Sequence, residues 1–86
     1  MGAHPEFAAI DEFQKDIVIL LDDRWSSVNG IGVELFNELV PHLGHVKVSF
    51  YDKHLQLRVD KVGNWLDRLE AVMRAIRKLS MRHDIS

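Results

Sequence analysis

Two carboxylates stand side by side at Asp22-Asp23, directly after the apolar run Ile17–Leu21. Paired acids at the end of a buried strand are one way to hold magnesium, because a hard divalent cation takes oxygen ligands. The competing reading is a pair of solvated strand-exit residues. Three histidines follow at His42, His45 and His54. His42 and His45 straddle the Pro41–Gly44 loop and are close enough in sequence to approach one another. His54 and His45 lie at opposite ends of one strand-turn-strand unit. A structural zinc site usually wants four ligands, and a chain without cysteine cannot complete the set with thiolates. No metal site is expected, and the histidines read as surface residues. Ser26, Ser27, Ser49 and Ser80 have neither an elbow motif nor an evident base. The glycines of "NGIG" (29–32) match neither GxxxxGK[ST] nor GxGxxG. The expectation is a protein that is not an enzyme, with no catalytic residue and no cofactor.

The string "ILLDD" resembles the first strand of a response-regulator receiver. That resemblance implies magnesium at Asp22 and Asp23 beside a phosphorylatable aspartate. A chain of 86 residues is too short for a receiver, and no later strand supplies the aspartate.

The remaining candidate is a surface. In "HVKVSFYDKHLQLRV" (45–59) apolar and polar residues alternate on both sides of a short polar break. A turn centred on Asp52-Lys53 pairs Phe50 with Leu55, Val48 with Leu57 and Val46 with Val59. All six apolar residues then share one face, and a one-residue slip of either strand would expose its whole set, so the register is well specified. The other face carries Lys47, Ser49, Tyr51, His54, Gln56 and Arg58. Such a face is commonly the wet side of an antiparallel sheet; it is also the candidate interaction surface. A single-stranded RNA platform needs stacking aromatics and a basic surround. Only Tyr51 qualifies here, and the formal net charge is −2, so nucleic acid is not an expected partner.

Flanking elements must position that hairpin. "DIVILLDD" (16–23) favours a strand buried on both faces, because three of its five apolar residues are β-branched. A helix through it is the alternative, since Phe7, Ile10, Phe13, Ile17 and Leu20 or Leu21 keep helical spacing. Pro5 with Phe7, Ile10 and Phe13 suits a short helix over 5–14. Val28, Ile31, Leu35, Leu39 and Leu43 form a helical stripe widened by Phe36 and Val40. Ser26, Ser27 or Asn29 is placed to cap it, and Pro41 and Gly44 are placed to end it. A longer stripe runs through Val62, Trp65, Leu66, Leu69, Val72, Met73, Ile76 and Leu79, with Asp60 as N-cap and Arg74, Arg77, Lys78 and Arg82 toward the negative end of the dipole. Trp65 and Leu69 are expected to pack under Val48, Phe50, Leu55 and Leu57. The tail His83–Ser86 is either frayed or a short edge strand.

The order β-α-β-β-α predicts an α+β two-layer sandwich, ferredoxin-like with its last strand missing or short. In topology this is similar to heavy-metal-associated domains. Their Cys-x-x-Cys falls in the loop that here reads "RWSSVN" (24–29), so the metal function that the resemblance implies has no thiol to carry it.

Length and composition agree with a single small domain over 1–86. Hydrophobic residues at 47% and charged residues at 28% are ordinary for a folded chain. A domain of this size buries only about 60% of its unfolded surface, so a partner or a second copy would matter to its stability. The run Ile17–Leu21 is too short to span a bilayer, so no membrane insertion is expected. Without cysteine the redox compartment is open, with the cytoplasm favoured. "MGAHPEF" (1–7) reads as native or as vector-derived. A protein partner or self-association is the expected mode of action, with a homodimer the expected assembly: the hairpin leaves a strand at a sheet edge, no proline interrupts 45–59, and its middle is nearly uncharged. The alternative is a small-ligand or metal-sensing regulatory module of ferredoxin-like type.

Overall fold

Residues whose side chains alternate with a period of two decide the centre of the molecule. In the computed structural model, which describes residues 7–11 and 15–85, four strands form one antiparallel sheet. They are β1 (Phe7–Asp11), β2 (Asp16–Leu21), β3 (Val46–Tyr51) and β4 (His54–Asp60), in spatial order β1-β2-β4-β3. Ile17, Ile19 and Leu21 of β2 and Leu55, Leu57 and Val59 of β4 are at most 2% exposed. The intervening residues of both strands are only partly covered or exposed. The chain is thus α+β, and 16–21 is the strand rather than the helix that the spacing also allowed.

The β3–β4 register is the expected one, with Val46 opposite Val59, Val48 opposite Leu57 and Phe50 opposite Leu55. Asp52 opens the turn with φ 58°, the positive value required at the first central position of a primed two-residue hairpin loop.

The helix expected over 5–14 is not formed at Phe7–Asp11. That segment is β1, which runs antiparallel to β2 with Ile10 opposite Ile19 and Asp11 opposite Val18, and with an irregularity between Phe7 and Ala9. Helical spacing in a short segment gives way to backbone pairing. Without β1, β2 would present a row of unsatisfied N–H and C=O groups. Residues 5, 6 and 12–14 of the expected helix lie outside the described residues, as does most of the stretch read as vector-derived.

Three helices follow: α1 (Asp23–Ser26), α2 (Ile31–Glu38) and α3 (Trp65–Arg82). The segment read as a loop between strand and helix contains α1. Its Trp25 is 1% exposed and belongs to the core. α2 is shorter than its apolar stripe suggested. Gly30, with φ 77°, is its N-cap and makes no side-chain bond, so neither Ser26, Ser27 nor Asn29 caps it. At its other end Val40–His42 tighten into a 3₁₀ turn containing Pro41, as a proline without an N–H dictates. α3 starts later than expected. Asp60 stays in β4, where its N–H donates to the His45 carbonyl at 3.0 Å. Gly63, with φ 58°, turns the chain, and Asn64 is the N-cap. The tail adds no strand among the described residues. Its Ile85 folds back, 6% exposed, and its N–H bonds the Ser80 carbonyl at 2.9 Å.

Leu35, Leu39, Val72, Ile76 and Leu79 meet the inward sheet residues in one core. α2 lies against β3 and α3 against β4. Trp65 and Leu69 pack at the margin of that core, but Phe50 is not under them: it is 59% exposed. No helix among the described residues is long and apolar enough to cross a membrane.

Candidate docking surface at the open β3 edge

β3 has β4 on one side only, and among the described residues its other side is open. The hydrogen-bond phase shows which of its backbone groups are free. A two-residue loop closes on a hydrogen-bonded pair, here Tyr51–His54, and such pairs alternate along an antiparallel ladder. Ser49–Gln56 and Lys47–Arg58 are therefore bonded pairs too. The bond between Asp60 and His45, one step further along, fits this phase. The N–H and C=O groups of Val46, Val48 and Phe50 consequently point outward along the open edge.

An apolar flank runs beside that edge. On α2, Val33 is 64% exposed, Phe36 46%, and Val40, just beyond its end, 51%. The opposite side of α2 is tied to α3 by ion pairs from Glu34 to Arg82 (2.9 Å) and His83 (2.9 Å), and from Glu38 to Lys78 (3.0 Å). Gly32 faces the sheet, where a Cβ would stand 3.4 Å from Phe50 Cε2 and 3.9 Å from Leu55 Cδ1. Between helix and strand lies a groove of about 460 Å³, lined in part by Val28, Gly32, Phe36, Val48 and Phe50. A second hollow of about 360 Å³ adjoins it and shares Phe36, Val48 and Ser49.

The six residues of the expected polar face lie opposite one another as the pattern required: Lys47 with Arg58, Ser49 with Gln56, Tyr51 with His54. They do not form one equally accessible patch. Lys47, Ser49 and Tyr51, on the edge strand, are exposed, whereas His54 and Gln56 are partly covered. His54 Nδ1 donates to the Leu21 carbonyl at 2.9 Å, which closes the end of β2. Arg58 reaches across to Asp16 of β2 at 3.0 Å, which offsets the like charge of Lys47 directly opposite it. Sequence reasoning missed the apolar flank. The widening of the helical stripe by Phe36 and Val40 is a signal for it, since a stripe broader than the sheet can cover leaves its margin exposed.

The other candidates have local structural roles. Asp22 is the N-cap of α1 and accepts from the Arg24 N–H at 2.8 Å. The same arginine's side chain holds the Asp22 carboxyl below the usual carboxylate range. Ser26 and Ser27 donate to the carbonyls of Asp23 and Arg24. His45 Nδ1 donates to the Asp60 carboxylate at 3.0 Å, which Arg68 also contacts at 3.3 Å. Arg68 further donates to the Val62 carbonyl. This node ties the start of β3 to the end of β4 and to α3. Among the described residues no three of His, Asp and Glu converge as a metal would require.

Comparison of the chain with protein-family models, curated proteins and solved structures found no match.

Proposed function

We propose that this chain is a non-enzymatic interaction domain that acts by self-association. The architecture proposed is a two-layer, ferredoxin-like sandwich in which the N-terminal strand β1 fills the position of the missing last strand. The strand order β1-β2-β4-β3 supports that reading. The observation that carries the function is the combination of an open β3 edge with the exposed apolar flank of Val33, Phe36, Val40 and Phe50. An uncovered edge strand is a template for pairing, and apolar residues gathered beside it mark a contact surface. Asp22, Ser26, Ser27, His45, His54 and Ser80 are engaged as a cap, as donors to backbone carbonyls or in a contact with a carboxylate. That supports a role without chemistry.

A second reading, a small-ligand regulatory module, is favoured by the groove alone, whose volume falls in the range of ligand sites. Solution mass across concentration separates the two. A self-associating domain shifts from monomer to dimer mass as concentration rises. A regulatory module keeps one mass and gains melting temperature with its ligand by mass action. A constant monomer mass up to millimolar concentration defeats self-association.

A further inference from the structure

We propose that Asn29 is a self-modifying site, where the side-chain amide closes onto the Gly30 backbone nitrogen and the residue ages to aspartate and isoaspartate. The string "NGIG" (29–32) is no phosphate loop, but it opens on an Asn-Gly pair. Neither other asparagine, Asn37 or Asn64, precedes a glycine. The step is an intramolecular acyl transfer. The Gly30 nitrogen bonds to Asn29 Cγ and gives up its proton to solvent base, and the Cγ–Nδ2 bond breaks with release of ammonia. Water then opens the cyclic imide at either carbonyl. Opening at Cγ restores the ordinary backbone with aspartate. Opening at the backbone carbonyl leaves isoaspartate, whose chain runs through Cβ.

Asn29 and Gly30 are both exposed. The Gly30 N–H donates to no described residue, and the Asn29 side chain bonds to none. The turn around them is closed by the Ile31 N–H donating to the Val28 carbonyl at 3.3 Å, so the flanking residues carry that bond and the reacting atoms do not. Bringing the Gly30 nitrogen to Cγ requires the 29–30 peptide to rotate, which alters φ at residue 30. Glycine accepts either sign of φ, and a Cβ at Gly30 would meet nothing within 4 Å. The other two asparagines are guarded. Asn37 lies within α2, where the following N–H is committed to the helix ladder. Asn64 is followed by Trp65, whose bulky side chain hinders the nitrogen that would attack. Either product adds one negative charge to the formal −2, on the wall of the groove that Asn29 and Gly30 help to line. A carboxylate near a helix N-terminus is favourable, so aspartate leaves the fold intact. Isoaspartate inserts a backbone methylene between Val28 and Ile31 and breaks the turn that leads into α2.

The test incubates the full chain in mildly alkaline buffer made with heavy-oxygen water, then digests it with trypsin. Peptide 25–47 carries Asn29 and Asn37 together, so its fragments compare them under identical conditions. Residue 29 is expected to take up heavy oxygen as both aspartate and isoaspartate, within an order of magnitude of the free peptide's rate. Asn37 and Asn64 are expected to stay amides. Gly30→Ala should slow conversion severalfold, in the free peptide as in the folded chain, so that strain at φ 77° does not confound the reading. Asn29→Asp should keep the wild-type melting temperature, and the isoaspartate form, separated chromatographically, should melt lower. An Asn29 that stays intact in the folded chain while the free peptide converts shows that the turn protects it and overturns the proposal. So does aspartate without isoaspartate, which excludes the cyclic imide, or equal conversion at Asn37 or Asn64, or undiminished conversion in Gly30→Ala. An isoaspartate form that melts with Asn29→Asp overturns the consequence drawn for α2.

Discussion

Gly32 of α2 faces Phe50 of β3 so closely that a methyl group on it would stand 3.4 Å from the ring. That is ordinary van der Waals contact, and the exposed ring has room to give. Gly30, two residues earlier, has open space around it but a φ of 77°. The two glycines therefore respond oppositely to alanine. Gly32→Ala should be tolerated and should stabilise by up to about 1 kcal/mol through helix propensity. Gly30→Ala should destabilise by roughly 1–2 kcal/mol, because a Cβ in the left-handed region clashes with its own backbone. Urea denaturation of both variants checks the signs, and equal shifts in one direction would refute the contrast.

Trp25 anchors a helix of only four residues that has little stability without it. Trp25→Ala should cost about 3–5 kcal/mol, as for other buried aromatics, a large part of the stability of so small a domain. Loss of the cooperative melt, or a fall in its midpoint well beyond that of any surface variant, is the expected result. An unchanged melt would remove Trp25 from the core.

Phe50→Ser should separate folding from association. The ring is 59% exposed, so removing it should lower monomer stability by only about 1 kcal/mol, well short of a fully buried phenylalanine. Its loss removes exposed apolar surface from the face proposed for self-association. The melting curve of the dilute protein should barely move, while the mass at high concentration falls to that of the monomer.

Three carboxylates are held below their ordinary range, and two of them, Glu34 and Asp60, join separate elements of the fold. The Glu34 carboxyl is held below its ordinary 4.5, chiefly by the bond from His83 and also by Arg82, against the opposing effect of burial. Asp60 is held below its ordinary 3.8, first by His45 and then by Arg68, again against burial. A depressed folded pKa means the folded state prefers the ionised form. The stability from these groups is complete above 4.5 and 3.8 respectively, and it is lost as pH falls through the lowered values. The Tm of wild type should drop through that window, and that of Glu34→Gln with Asp60→Asn should drop less. Parallel curves would show that other carboxylates govern acid unfolding.

The hairpin register, the burial of Leu55, Leu57 and Val59, and the long α3 were all legible in the residues. The reason is local. A period of two or of 3.6 states which side of an element is apolar, and in β3–β4 a single slip would have exposed a full set of side chains. The pattern does not state how much cover that side receives. Phe50 sits on the edge strand against Gly32 of α2, which has no side chain to cover the ring, so it stays 59% exposed although its pattern is that of a core residue. Phe7–Asp11 carries helical spacing and becomes a strand because β2 has an edge to satisfy. Trp25 lies in a stretch without periodicity and is buried because α1 folds against β4. Residue types alone determined the faces. Tertiary structure decided their cover, because burial depends on the reach and placement of whole elements, which no single segment encodes.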